Sequence, residues 1–187
     1  QIFNLDSLTY AGNLMNLKDI EGKENYTFIK GDIEDLEKLS KVFSKYRPEI
    51  VFHLAAQPIV SESYKNPLAT FLTNVNGSLN ILEICRKVNF LKSLIFVTSD
   101  KCYENVGSIY GYRENDKLGG YDPYSASKAA AENIYLAYRR SYYKNNLGSA
   151  SVRAGNVIGG GDWSRDRLVP DFVRSMKNRN QFLIRNP

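Results

Sequence analysis

The sequence predicts an α/β fold, a doubly wound parallel sheet, on three observations. Short apolar runs alternate with stretches of helical periodicity, the order expected of successive β-α-β units. Two of the runs, Ile50-Val51-Phe52-His53-Leu54 and Leu94-Ile95-Phe96-Val97, are continuously apolar or nearly so, as in strands covered on both faces. Polar segments rich in Asp, Ser, Thr and Gly follow the runs, at the carboxyl ends of strands where such sheets bind ligands.

Gln1-Ile2-Phe3-Asn4-Leu5 reads as a strand already under way, so further chain is expected upstream. Tyr26 to Lys30 is a second strand. Leu36, Leu39, Val42, Phe43 and Tyr46 then recur at helical spacing until Pro48 stops the run. After the third strand at 50–54, a helix is expected from about Pro67 to Val88, and a fourth strand from Ser93 to Thr98. A polar, glycine-bearing loop leads to Asp122, and Pro123 opens a helix from Tyr124 to roughly Lys144. Ala150 to Arg153 is one more strand, and Gly159-Gly160-Gly161 forms a loop ahead of a helix from Leu168 to Met176. The division expected is a cofactor-binding domain over 1–155 and the start of a substrate-binding region over 156–187, a region that the end at Asn186-Pro187 leaves unfinished.

The 187 residues suffice for a full core, and 43% hydrophobic with 12% aromatic residues is the composition of a globular protein. No window has the length and apolarity of a membrane span, and no signal peptide is recognisable. Cys85 and Cys102 suit neither a disulfide framework nor a metal set, and with His53 as the only histidine no metal site is expected. A reducing, cytoplasmic setting fits. The net charge of +5 comes from scattered groups: Arg139, Arg140 and Lys144 on one helix, and Arg165, Arg167, Arg174, Lys177 and Arg179 near the end. No clustered basic groove or stacking platform marks a nucleic-acid binder.

The candidate chemistry begins at Thr98-Ser99-Asp100-Lys101, where two hydroxyls and a carboxylate close the fourth strand. Tyr124 and Lys128 lie four apart on a predicted helix, hence on one face, with the ammonium beside the phenol. A neighbouring cation favours the phenolate. Such a tyrosine can take a proton from a sugar hydroxyl at neutral pH, where a free phenol, with a pKa of about 10, would keep its own. Spacing alone does not establish this, because Tyr26 and Lys30 repeat it inside a predicted strand.

Asp6 directly follows the first strand, where a carboxylate can accept both hydroxyls of an adenosine ribose and repel a ribose phosphate, which favours NAD over NADP; a turn or helix cap is its alternative. Asp32 and Ile33 after the second strand suit the adenine edge. Leu54, Ala55 and Ala56 after the third let backbone approach a cofactor. The glycine-rich phosphate turn expected about 20 residues before Asp6 would precede Gln1, and Gly159 to Gly161 lacks the context to replace it. His53, in an apolar strand, reads as a core histidine.

Together these residues resemble the extended short-chain dehydrogenase/reductase family and, within it, the nucleotide-sugar 4,6-dehydratases. The resemblance rests on Thr98 to Asn105, Gly111 to Asp116, Gly119 to Ser125, Arg153 to Trp163 and His53-Leu54-Ala55-Ala56-Gln57-Pro58, all similar to the CDP-glucose branch. The opening, Leu5 to Leu14, is similar to the dTDP-glucose branch instead. The likeness covers nearly the whole chain but about the middle half of a family member.

It implies a Rossmann-like fold, NAD as cofactor and a nucleoside-diphosphate glucose as substrate, converted to the 4-keto-6-deoxy sugar for deoxysugar and O-antigen synthesis. Tyr124, assisted by Lys128, would take the proton of the carbon 4 hydroxyl. Ser99 would steady the keto oxygen and Asp100 protonate the departing carbon 6 hydroxyl. Lys101 stands where the dTDP branch has a glutamate that looks like the carbon 5 base; a lysine in that role must act as a neutral amine. Thr73 and Thr98 match positions near the cofactor, as does Asn74, for which bridging of backbone groups is the alternative. Gln57, Asn156 and Arg167 match positions near the substrate, and a guanidinium suits phosphate oxygens. The long helices make a homodimer or homotetramer seam plausible. The rival readings are a dTDP-glucose dehydratase, a nucleotide-sugar 4-epimerase, against which Asp100 argues, and an inactive binding piece.

Overall fold

The computed structural model describes residues 1–143 and 147–184. In chain order its main elements are β1 (Ile2–Asp6), β2 (Tyr26–Lys30), α1 (Leu36–Tyr46), β3 (Ile50–His53), α2 (Val60–Lys65), α3 (Pro67–Phe71), α4 (Ser78–Lys87), β4 (Ser93–Ser99), α5 (Pro123–Tyr138), β5 (Gly148–Ala154) and α6 (Leu168–Lys177). All strand pairings among these elements are parallel, which confirms the α/β class. The chain forms two compact units, one of residues 31–155 and one of 1–30 with 156–187.

In the discontinuous unit β1 and β2 pair in register from Ile2 opposite Tyr26 to Asp6 opposite Lys30. The Asn4 amide donates to the Tyr26 hydroxyl at 2.9 Å, fastening the two strands through side chains. Asn16 reaches the later segment, donating to the Gly161 carbonyl at 3.3 Å. α6 carries Phe172, whose ring meets Phe182 edge-on at 5.4 Å.

The unit of residues 31–155 is built on a sheet of order β3-β4-β5, with β4 in the centre. Leu94 and Phe96 of β4, Leu39 of α1, Leu82 of α4 and Tyr135 of α5 are all buried and belong to the core. Phe96 stacks on Tyr135 at 5.2 Å. α1 is capped by Asp35, which accepts the Lys38 N–H at 2.9 Å, and ends at Arg47 in the left-handed region (φ 45°), ahead of Pro48. A π-helical turn, Leu72–Gly77, joins α3 to α4. At its end Gly77 passes so close to Ile33 that an added Cβ would stand 2.5 Å from the Ile33 Cδ1.

Three expectations are corrected. β3 is not covered on both faces: Ile50 and Phe52, which share one face, are 56% and 64% exposed while His53 on the other is buried, and among the described residues β3 is the outer strand of its sheet. The helix expected over 67–88 is three segments with a π-helical turn in the middle. The helix expected from Tyr124 to Lys144 is α5 followed by a π-helical turn over Arg139–Tyr143, and Lys144 lies outside the described residues. α2, in the polar stretch after β3, was not foreseen at all.

Candidate active site

β4 ends by handing its last residue to a tight turn. Ser99, still extended, caps a 3-10 turn over Asp100–Cys102: its hydroxyl accepts the Lys101 N–H at 3.2 Å and donates to the Asp100 carboxylate at 3.1 Å. Ser99 is buried while Asp100 and Lys101 are exposed. Gly155, just after β5, leaves room here, since a Cβ on it would lie 3.8 Å from an Asp100 carboxylate oxygen.

α5 packs on this turn. Asp122 caps the helix, accepting the Ser125 N–H at 2.9 Å and the Ser125 hydroxyl at 2.6 Å, and Pro123 occupies the first helical position with its φ already set. The approach is narrow: a Cβ on Gly120 would meet the Ser125 backbone at 2.5 Å, so only glycine lets the loop lie against the helix start. The result is that Tyr124 and Lys128, both buried, sit one turn apart at a fixed height.

The electrostatics follow from burial. Desolvation lowers the Lys128 pKa to about 8, against the opposing influence of Cys102 and Glu132. Cys102, fully buried in the 3-10 turn, is pushed up to about 11, mainly by desolvation. His53 falls to about 3 through burial and the charge of Lys128, so it stays a neutral ring, bonded to the Ser78 hydroxyl at 3.0 Å and tilted against Phe96. It is a core histidine.

The loop after β3 carries Leu54 and Ala55 exposed and Ala56 half-buried. Gln57 is used within the fold: its amide donates to the Ile59 carbonyl at 3.1 Å and to the Thr70 hydroxyl at 2.9 Å, and its oxygen accepts the Ile59 N–H at 2.5 Å. Asn74, in the π-helical turn and 1% exposed, exchanges two hydrogen bonds with the Gln57 backbone and donates to the Ser127 hydroxyl at 2.8 Å. It thereby ties this loop to α5 as well as bridging backbone groups. Thr73 donates to Glu34 at 2.6 Å. Asp32 accepts the Glu34 N–H, and Ile33 is buried against Gly77. Thr98 donates its hydroxyl to Glu132 at 2.5 Å.

Ser99, Asp100, Lys101, Tyr124, Lys128, Thr98, Thr73, Gln57, Asp32, Ile33 and Leu54 to Ala56 all fall within the unit of residues 31–155, whereas Asp6, Asn156 and Arg167 belong to the other. There Asp6 lines a cavity of about 160 Å³ with Asn4, Asn13 and Asn16. Arg167 lies 3.6 Å from Asp162, and Asn156 is exposed. Sequence reasoning missed Glu132, although its place four residues after Lys128 on the same helical face was legible.

A family profile described as GDP-mannose 4,6 dehydratase matches residues 1–178. The chain belongs to this family. Among its curated relatives, a CDP-glucose 4,6-dehydratase of Salmonella typhimurium is 52% identical over 163 residues, 84% of this chain and 45% of that protein. A probable dTDP-glucose 4,6-dehydratase of Sinorhizobium fredii is 36% identical over 76% of the chain and 43% of its own length. The chain thus spans about half the length of the curated relatives it matches. Among solved structures, the dTDP-glucose 4,6-dehydratase DesIV from Streptomyces venezuelae, with NAD and TYD bound, has a TM-score of 0.86 at 28% identity, over 96% of this chain and 53% of that one. A UDP-N-acetylglucosamine 4-epimerase from Methanobrevibacter ruminantium has a TM-score of 0.81 at 29% identity, over 95% and 55%. The family's fold is the Rossmann-like one that the sequence predicted.

Proposed function

We propose that the protein carrying this chain is a lyase that dehydrates a nucleoside-diphosphate glucose, CDP-glucose ahead of dTDP-glucose, to the 4-keto-6-deoxy sugar, with NAD as cofactor. The observation that carries the reading is the assembly in one unit of Tyr124, the buried Lys128 and an acid, Asp100, held by Ser99 at the carboxyl end of β4. The 52% identity to the Salmonella enzyme and the lysine at position 101 support CDP.

The residues present fit NAD. Asp6 spends one bond on the Leu8 N–H at 2.6 Å, and a carboxylate has acceptor capacity beyond that for the hydroxyl pair of a ribose opening onto the same cavity. Asp32, Ile33, Leu54, Ala55, Ala56, Thr73, Thr98, Tyr124 and Lys128 are its other neighbours on this reading. The chemistry that a bound NAD supplies is a hydride store, filled from carbon 4 and emptied at carbon 6.

Tyr124 takes the proton of the carbon 4 hydroxyl, and the Lys128 ammonium stabilises the phenolate that does so. Ser99 donates to the keto oxygen that results, which makes the carbon 5 proton acidic. Lys101, as a neutral amine, is the candidate to remove that proton, leaving a carbon 5–carbon 6 double bond as water departs, and to return the proton to carbon 5 when carbon 6 receives the hydride. Asp100, protonated, gives its proton to the carbon 6 hydroxyl as the carbon–oxygen bond breaks, so that water leaves. Arg167 and Asn156 hold the diphosphate, with Arg167 exchanging Asp162 for phosphate oxygens. Gln57 acts by shaping the loop beside the sugar.

The full-length protein incubated with CDP-glucose or dTDP-glucose and NAD is expected to yield a product lighter by one water in mass spectrometry, faster from CDP-glucose. A sugar epimerised at carbon 4 with no loss of water sinks this reading and establishes the second one, which the likeness to the 4-epimerase structure favours. Titration of the 187-residue chain with NAD tests the third: the absence of saturable binding marks this segment as inactive on its own. A homodimer or homotetramer is part of the proposal, through the exposed Leu68, Phe71, Leu72 and Leu79 of the α3–α4 run, as is a cytoplasmic location; no helix among the described residues is long and apolar enough to cross a membrane.

A further inference from the structure

Glu132 takes no part in the chemistry above, yet it is completely buried. Three side chains converge on its carboxylate. The Thr98 hydroxyl donates to Oε1 at 2.5 Å, and Oε2 accepts from the Ser151 hydroxyl at 3.2 Å and from the Arg153 guanidinium at 3.0 Å. One carboxylate of α5 is therefore fastened to the last residues of both β4 and β5. Burying an ion pair of this kind is weak as a source of stability, because desolvation of each ion offsets most of the attraction, and apolar side chains of similar volume do as well. Its position is more informative than its energy. Thr98 immediately precedes Ser99 and Asp100, and Lys128 lies one turn before Glu132 on the same face of α5.

We propose that Glu132 is a positioning residue: it sets the height of the Ser99–Asp100 turn against the Tyr124–Lys128 face and holds a negative charge near the Lys128 ammonium. The inference rests on the dehydratase reading of that site.

The surroundings leave few other groups to act on this ammonium. His53 from β3 and Cys102 from the 3-10 turn face Lys128, and burial keeps the first neutral and the second a thiol across the neutral range. Arg153 from β5 lies over the Tyr103 ring at 4.8 Å; burial opposes its charge, but hydrogen bonds to Glu132 and Tyr103 outweigh that and hold it above the ordinary arginine value. Tyr135, one turn on from Glu132 by sequence spacing, is raised by desolvation. Tyr124, one turn before Lys128 on the same helix, completes the set. Against burial, which lowers the Lys128 pKa, the charge of Glu132 is one of two influences that raise it. Its removal lets the ammonium lose its proton at a lower pH.

Glu132→Gln in the full-length protein keeps the volume and removes the charge. The expected result is a kcat about 10- to 100-fold lower, as misplacement of reacting groups by a fraction of an ångström to 1 Å produces, with KM for the nucleotide sugar within about twofold and the alkaline limb of the pH profile moved to lower pH. Unchanged kcat, or a loss of kcat with the limb in place, overturns the proposal, since a merely structural residue gives the latter. Should this variant fail to fold, Thr98→Val keeps the charge and removes the tie to β4: a kcat about tenfold lower with an unmoved limb supports the tie, and wild-type kcat overturns it. A wild-type protein without dehydratase activity refutes the functional reading alone. In that case the Lys128 titration, followed by side-chain 13C NMR in wild type and Glu132→Gln, still decides, and a midpoint that does not fall overturns the inference.

Discussion

The chain contains the spacing Tyr-x-x-x-Lys twice, and the two copies have different fates. Tyr26 and Lys30 lie on β2, where four residues of extended chain separate their Cα atoms by about 13 Å. The Tyr26 hydroxyl accepts from Asn4 and Lys30 is exposed. Tyr124 and Lys128 lie on α5, where the same four residues rise only about 6 Å, and both are buried beside a turn that carries a hydroxyl and a carboxylate. A spacing acquires chemical meaning only from the element that carries it. What separates the Tyr124 copy from the Tyr26 copy is the helix, the burial of its lysine and the company of Ser99 and Asp100.

The comparison breaks if the two tyrosines respond alike to losing their hydroxyls. Tyr124→Phe is expected to lower kcat by about 10³-fold, within the range for removing a positioned acid–base group, whereas Tyr26→Phe leaves kcat within twofold. Steady-state rates with the preferred nucleotide glucose check both. Asp100→Asn sharpens it by dissecting the second site: water loss falls by about 10²-fold or more, while reduction of NAD, read from its absorbance, is partly spared. Equal loss of both steps removes Asp100 from the acid role.

Lys128 supplies a pH test with a definite sign. Its folded pKa, about 8, lies below the 10.5 of an ordinary lysine, so between those values the unfolded state holds more protons and stability rises with pH. The penalty of burying the ammonium is fully present below pH 8. Lys128→Met is therefore expected to stabilise the protein at pH 7, by about 1–3 kcal/mol, while suppressing activity, and its advantage in denaturant titrations shrinks toward pH 10. In the wild type, kcat is expected to fall as pH rises through about 8. The smallest effect belongs to the decoy: Tyr26→Phe loses one half-buried hydrogen bond, about 1 kcal/mol in urea unfolding.

Much of this was legible in the sequence because it depends on local pattern. β2 runs over Tyr26–Lys30 and α1 over Leu36–Tyr46, as apolar periodicity and Pro48 indicated. Pro123 marked the start of α5, and the structure adds Asp122 as its cap, accepting the Ser125 N–H. What was not legible depends on neighbours distant in sequence. A continuous apolar run does not say whether its strand is central or outermost, so β3 and β4 looked alike and differ in exposure. Gln57 gave no sign that its amide would be used up by Ile59 and Thr70. Glu132 drew no attention because an acid on a helix is ordinarily solvated, and only Thr98, Ser151 and Arg153, from other elements, make it otherwise.

The outer strand β3 has a practical consequence. Among the described residues it pairs only with β4, and it presents Phe52 and Ile50 beside a row of backbone groups with no ladder partner on that side. No proline, lysine or bulge blunts this edge within Ile50–His53, and such edges template pairing with other chains. Produced as this 187-residue segment, the polypeptide is expected to self-associate through β3 and to lose solubility as its concentration rises. A lysine at position 52 is the simplest remedy for anyone wishing to study the segment in solution.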